Sequence, residues 1–383
     1  MSNRRLTVCA LLAAVVAAGL AAPGVARAAV AVQTVYMNAA GSDAGSGATP
    51  ATAVRTLGRV EELVAAGPVD QDVEVRIHAG TYVAGGVTWD TYRPGRTISF
   101  MPDDYTVGEG RDGIAALPVF ENARSSSGRY LPGFWFYACL PSDGRPLTDG
   151  GVAGLRFYYL QAQRYSSGAL SLDGSAGPCG GGYQPSSGPG QPSARGLDGN
   201  TVFGMVFTDL GNAYTGGGCA DEDFPRCGFG GVVLTESSGN RIENSHFVDL
   251  RNTEVSYVHG IYVTHKSSSN RFTSNRVTGV SSDPVKVRDA SNFNTFENNV
   301  FGANSWPRTS TPGVHYLDEV GASECSSYHN RFAYNDLGTY LAGSSANLPV
   351  WYLSPEGATW PGPSGCPALP SGETRLITAG NTY

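Results

Sequence analysis

An Asn-anchored phrase returns five times along this chain, and few folds are compatible with it. The copies read NTVFGMVF from Asn200, NRIENSHF from Asn240, NRFTSNRV from Asn270, NTFENNVF from Asn294 and NRFAYNDL from Asn330. Asn is followed by Thr or Arg, then by Val, Ile or Phe. Five positions on, Asn stands again at Asn275, Asn299 and Asn335. Seven positions on, the residue is always apolar: Phe207, Phe247, Val277, Phe301 and Leu337. The anchors lie 40, 30, 24 and 36 residues apart. Such periods signal stacked supersecondary units, each burying its apolar face on its neighbours. The unequal spacing adds that a fixed rung carries variable insertions on the outside, where binding surfaces form.

The first residues stand apart from this pattern. Arg4 and Arg5 precede an apolar run from Leu6 to Leu20, and Ala26-Arg27-Ala28 follows. That is the layout of a secretory signal peptide cleaved before Ala29. Residues 1–28 are read as this signal, and 29–100 as an N-terminal strand, capping helix and first rungs. Residues 101–340 are read as a solenoid with loop insertions over 171–230, and 341–383 as a wrapping segment that closes the far end. Loss of the three residues Arg4, Arg5 and Arg27 takes the formal net charge from −7 to −10. An acidic chain argues against nucleic acid as a partner. The expectation is a secreted, extracellular monomer that leaves the membrane once its signal is removed.

Six Cys follow the signal, an even number that reads as disulfides in an exported chain. Proximity favours Cys139 with Cys179, Cys219 with Cys227, and Cys325 with Cys366. No Cys/His spacing suits a structural zinc site. With 51 Gly, 23 Pro and 15% charged residues, the chain fits a turn-rich all-β protein.

Local patterns fill in the elements. VYMNA around Tyr36 is strand-like. Val54, Leu57, Val60, Leu63 and Val64 share a face at helical spacing, which predicts a short amphipathic helix over 54–65. From Val73 to Val83 the alternation is that of a strand. Further strand-like runs occupy 97–100, 133–140 and 154–162. The Gly/Pro/Ser-rich stretch 171–230 holds three Cys, which argues for pinned surface loops rather than a linker. Counting back from the anchors puts Val233, Val263 and Val287 in one inward column and Ile261 with Val285 in another. Strand alternation then points Tyr262, Thr264, Lys286 and Arg288 outward. The stacked Asn are read as structural turn residues.

Tyr36, Gly41-Ser42-Asp43, Thr56-Leu57 and Ala79-Gly80-Thr81-Tyr82 come in an order that resembles the opening segment of exported proteins of the pectate-lyase-like superfamily. The resemblance implies a right-handed parallel β-helix, an all-β solenoid whose first helix plugs the open end of the stack.

The densest polar cluster is His259, Tyr262, His265, Lys266, Asp283, Lys286, Arg288 and Asp289, spread over two consecutive rungs. In an acidic chain, donors gathered on one face suit an anionic ligand such as a uronate carboxylate. Lys266 followed by Ser-Ser-Ser-Asn270 and by Asn275, then Arg288 at a strand end and Asn298-Asn299-Val300-Phe301, resembles the alginate and dermatan-type β-helix polysaccharide lyases. The resemblance implies β-elimination on a uronate polysaccharide, with Lys266 as base and Arg288 as acid or carboxylate partner. Lys286 is a rival for Arg288, and Tyr262 or His265 can take the acid or base role. His259, Asp289 and His315 are read as substrate-binding residues. Asp289-Ala290 replaces the family's His-Gly, and Ile261 and Val263 replace its acidic calcium ligands. No metal ligand is therefore assigned and no cofactor is fixed by the sequence, with calcium left open.

Other readings stand beside this one. The same cations can be a solvated face paired with Asp283 and Asp289. Glycoside hydrolysis would need two carboxylates, for which Asp283, Asp289, Asp318 and Glu319 are nearest. A non-catalytic carbohydrate-binding or adhesin β-helix would use aromatic residues such as Trp135, Trp306, Trp351 and Trp360.

Overall fold

In a computed structural model, the residues described are 31–141, 147, 152–180, 182–215, 228–253, 258–302, 314–316, 324–325, 327–336, 351–353, 365–367 and 376–382. Residues 1–28, expected to be a signal peptide, and Cys219, Cys227, Trp306, Asp318, Glu319, Leu337 and Trp360 lie outside them. Strands stack in three all-parallel sheets. A ten-stranded sheet runs from Val32–Met37 to Leu376–Ala379. A seven-stranded sheet runs from Thr81–Ala84 to Val300–Gly302, and an eight-stranded sheet from Val87–Trp89 to Trp351–Leu353. Neighbours in every sheet come from successive turns of the chain, so the architecture is the expected parallel solenoid.

One rung shows how the repeat makes a turn. Asn240 opens the strand Arg241–Glu243 of the ten-stranded sheet. Asn244 then turns the corner in left-handed backbone (φ 52), and His246–Leu250 joins the seven-stranded sheet. His259–Thr264 follows in the eight-stranded sheet, and a turn leads to Asn270. The fourth residue after the anchor position is left-handed in seven successive rungs: Tyr159, Gly204, Asn244, Ser274, Asn298, Tyr334 and Gly380. Two of these rungs, opening at Leu155 and Leu376, are degenerate copies that the Asn pattern does not reveal.

Two buried ladders hold the corners. Each anchor Asn donates its side-chain amide to the next anchor's side-chain carbonyl: Asn200 to Asn240 at 2.8 Å, Asn240 to Asn270 at 2.8 Å, Asn270 to Asn294 at 3.0 Å and Asn294 to Asn330 at 3.0 Å. The same carbonyl also accepts the backbone N–H of the preceding anchor. A second ladder joins Asn275, Asn299, Asn335 and Asn381. These amides sit where water cannot reach, so the ladder must satisfy them. Between the ladders the core is apolar: Phe157, Val202, Ile242, Phe272, Phe296 and Phe332 form one inward column. Phe272 and Phe296 stack at 4.5 Å between ring centroids.

The N-terminal helix forms at Leu57–Ala66, with Thr56 accepting from the Arg59 amide as its cap. Leu57, Val60 and Val64 are its buried residues. Two expected strands each divide in two. The run from Val73 to Val83 becomes Asp72–Ile77 and Thr81–Ala84, and the run over 154–162 becomes Leu155–Tyr158 and Gln161–Gln163. Alternation survives on both sides of such a corner, so periodicity alone does not show it. Of the expected disulfides, Cys139–Cys179 and Cys325–Cys366 form, with Cα atoms 5.5 and 5.4 Å apart.

The inward columns need one correction. Val232 pairs with Ile261, and Leu234, not Val233, precedes Val263 and Val287. Val233 points outward beside Tyr262. The turn that leads to Asn240 is one residue shorter than the turn that leads to Asn270. Glu236 donates its amide to the carbonyl of His265, and Ser237 to the hydroxyl of Ser267, which leaves Lys266 without a counterpart.

Two outcomes follow from this architecture. Asn294→Ala, which removes a mid-ladder amide and strands its neighbours, is expected to lower unfolding stability by about 2–4 kcal/mol in urea titration. A loss below about 0.5 kcal/mol, the size of an ordinary surface change, would contradict the ladder's role. The second concerns Glu61 on the capping helix, which accepts the Asp90 amide at 2.8 Å. Burial, with Asp90 nearby, pushes its carboxyl from 4.5 up to about 7. The folded chain therefore holds this proton more tightly than the unfolded chain. Its contribution is full below pH 4.5 and is lost as pH rises through about 7. Glu61→Gln is expected to lose less stability than wild type between pH 4.5 and 8, and equal losses would contradict the assignment.

Candidate active-site groove

The outer face of the eight-stranded sheet carries a groove of about 510 Å³. Its floor follows from strand register. One outward row is Thr88, Tyr137, Ser171, Val233, Tyr262 and Lys286. A second row is Asp173, Thr235 and Thr264, with Arg288 next beyond Val287. Phe134 and Phe229 flank the floor with ring centroids 5.6 Å apart.

One wall comes from the insertion after the strand Gly168–Asp173. Cys139–Cys179 ties this segment to the sheet. Tyr183 stacks on the His265 ring at 3.6 Å between centroids. Its hydroxyl donates to Glu236 at 3.2 Å, and burial followed by the Glu236 charge holds the phenol far above its ordinary range. Glu236 is fully buried and also accepts the Ser186 amide at 3.0 Å and the Ser193 hydroxyl at 2.8 Å.

Lys266 belongs to this anchorage. The extra residue in its turn drives the side chain under the insertion, where 3% of it is exposed. Its ammonium donates to the Ser187 carbonyl at 2.7 Å and hydroxyl at 2.9 Å, and lies 3.9 Å from Glu236. The expected base is thus occupied in holding the wall.

The other expected residues gather at the end of the groove toward the later rungs. Arg288 donates to the Tyr262 hydroxyl at 3.3 Å and makes a two-pronged pair with Glu324, its Nε to Oε2 distance being 2.9 Å. Burial raises the Glu324 carboxyl, opposed by Arg288. Lys286 sits 5.7 Å from the Tyr262 ring centroid and forms no ion pair among the described residues. His265 Nδ1 lies 2.7 Å from Asp289, whose other oxygen accepts the Cys325 amide at 3.1 Å. Since Asp289 can only accept, Nδ1 carries the proton and Nε2 is left for the groove. His259 is buried 3.3 Å from Asp283, its ring 4.9 Å from that of Tyr262. The His315 backbone pairs with Lys286. Thr264 points outward as expected, yet only 3% is exposed, and its hydroxyl has no partner among the described residues.

The sequence reading passed over Glu236, Glu324, Tyr183, Asp173, Phe134 and Phe229. Glu236 alone had a signal, an acid in the turn position occupied by His265 and Lys266 one rung later. Of the carboxylates considered for hydrolysis, Asp283 and Asp289 are each committed to a His. Among the described residues no group of three or more His, Cys, Asp and Glu is placed to hold a metal ion, so no calcium-dependent step is derived.

Lys266→Met leaves Glu236 buried without its cation. It is expected to cost about 3–5 kcal/mol of stability by chemical denaturation, with a smaller loss when Glu236→Gln is added. A single variant as stable as wild type would remove the pair from the anchorage.

A search of curated proteins finds no match. Among solved structures, an alginate lyase from Paenibacillus sp. str. FPU-7 is similar at 12% identity with a TM-score of 0.49, over 91% of this chain and 99% of that one. A rhamnogalacturonan lyase is similar at 15% identity with a TM-score of 0.38, over 83% of this chain. The match spans 65% of that lyase's length. No helix among the described residues is long and apolar enough to cross a membrane. Residues 199–350 match the family model described as a right handed beta helix region, and the fold of the chain is a right-handed parallel β-helix.

Proposed function

We propose that the protein is a secreted, monomeric, carbohydrate-active enzyme that cleaves a uronate-containing polysaccharide by β-elimination. The observation that carries this reading is the juxtaposition of the Tyr262 hydroxyl, the Arg288 guanidinium 3.3 Å away, and the Lys286 ammonium at the end of an aromatic groove. The proton α to a uronate carboxylate becomes removable when that carboxylate is neutralised. Lys286 supplies net positive charge there, because Glu324 already balances Arg288. Arg288 orients the Tyr262 oxygen.

His265 Nε2 takes the α-proton, with Asp289 holding the ring. The electron pair released forms the carbon–carbon double bond as the bond to the glycosidic oxygen breaks. Tyr262, whose oxygen already accepts from Arg288, gives its proton to the leaving oxygen. His265 and Tyr262 then re-equilibrate their protons with water. Phe134, Tyr137 and Phe229 offer faces for sugar rings. Lys266 acts here by holding the wall.

The test is ultraviolet absorbance of an unsaturated uronate on incubation with alginate, pectate and dermatan-type glycosaminoglycans. Wild type is expected to produce it on at least one. Tyr262→Phe should lower kcat by about 10²–10⁴-fold, and Lys286→Ala should raise KM as well as lower kcat. New reducing ends without the absorbance would make the protein a hydrolase, and binding without cleavage would make it an adhesin or binding module.

A further inference from the structure

We infer that the groove selects a mixed polysaccharide, with a uronate at the Lys286–Arg288 end and uncharged sugars over the earlier rungs. This rests on the uronate reading above and extends it to the composition of the substrate.

The charges along the groove are unevenly placed. His265 lines the groove, and Lys286 and Arg288 lie one rung beyond its lining, next to Tyr262 and Thr264. The single carboxylate among the lining residues is Asp173, at the opposite side. Register fixes the separation: Asp173 pairs with Thr235, Thr235 with Thr264, and Arg288 follows one rung further. Three rung steps make roughly 14 Å, more than one sugar ring. Asp173 is held in place by the Tyr137 hydroxyl and by the Ser175 amide at 2.9 Å, and no cation among the described residues is paired with it. No Lys or Arg is among the described residues that line the groove.

A second uronate over Asp173 would set two carboxylates together in a partly enclosed groove, and like charges placed so are rejected. A neutral sugar meets the opposite situation. Its hydroxyls donate to Asp173, and its apolar face covers Phe134 and Phe229. Asp173 is thus a specificity-determining residue, and a homopolymer of uronates is the disfavoured substrate.

The experiment is calorimetric binding of tetrasaccharides by wild type and Asp173→Asn. One set holds only uronates, from pectate and alginate. The other alternates a uronate with a neutral sugar, from hyaluronan and rhamnogalacturonan. Wild type is expected to bind its best mixed ligand about tenfold or more tightly than its best homouronate. Asp173→Asn should narrow that ratio by tightening the homouronates. Homouronate bound equally or better by wild type would overturn the inference. So would an unchanged ratio in a variant whose melting temperature matches wild type. If the variant does not fold, the wild-type ratio decides. Absorbance of the products is read separately: a mixed-ligand preference without β-elimination would end the lyase reading and leave the charge selection standing.

Discussion

The amide-to-amide hydrogen bond between stacked Asn side chains fixes the register on which everything else rests. A mid-ladder anchor such as Asn270 gives its backbone and side-chain N–H groups to the carbonyl of Asn294 and accepts the same two donors from Asn240. A slip of one residue would break every bond in the ladder and turn an outward column inward. The left-handed corner four residues after each anchor repeats with the same regularity. Chain length is therefore free to vary elsewhere. In the rungs that carry this corner, the insertions fall between the seven- and eight-stranded sheets and in the turn from the eight-stranded sheet back to the anchor, whereas residues 103–118 separate the ten- and seven-stranded sheets in the rung before them.

That division of labour builds the groove. The ladder holds the eight-stranded sheet rigid, and register lines up Ser171, Val233, Tyr262 and Lys286 from four different turns. The insertion that follows Asp173 then folds over the outer face. A one-residue surplus in the turn at His265 and Lys266 sends neighbouring side chains to separate tasks. His265 stays with the groove and Asp289, while Lys266 goes under the wall to Ser187 and Glu236. A polar cluster dense in sequence is thus partly site and partly scaffold.

The repeats and the opening segment made the solenoid legible because each rung obeys the same local chemistry. The outward placement of Tyr262, Lys286 and Arg288 was legible too, since strand alternation is strict within one rung. Val233 was misplaced because counting from the anchor assumes turns of equal length, and the turn before Asn240 is shorter by one. The corners at Tyr159 and at Ala79-Gly80 were missed because the apolar pattern continues across them. Glu324 and Tyr183 come from segments with no repeat, and only folding brings them to Arg288 and His265. The burial of Lys266 depended on an insertion nearly eighty residues away in sequence, with 79 residues separating it from Ser187.

The most direct test of the account is a crystal structure of the Tyr262→Phe protein with a bound uronate-containing tetrasaccharide. The account predicts the sugar chain running along the rungs of the eight-stranded sheet, one carboxylate beside Lys286 and Arg288, and the His265 Nε2 facing the carbon that bears the α-proton. A sugar chain bound on another sheet, or a carboxylate turned away from Lys286 and Arg288, would contradict it.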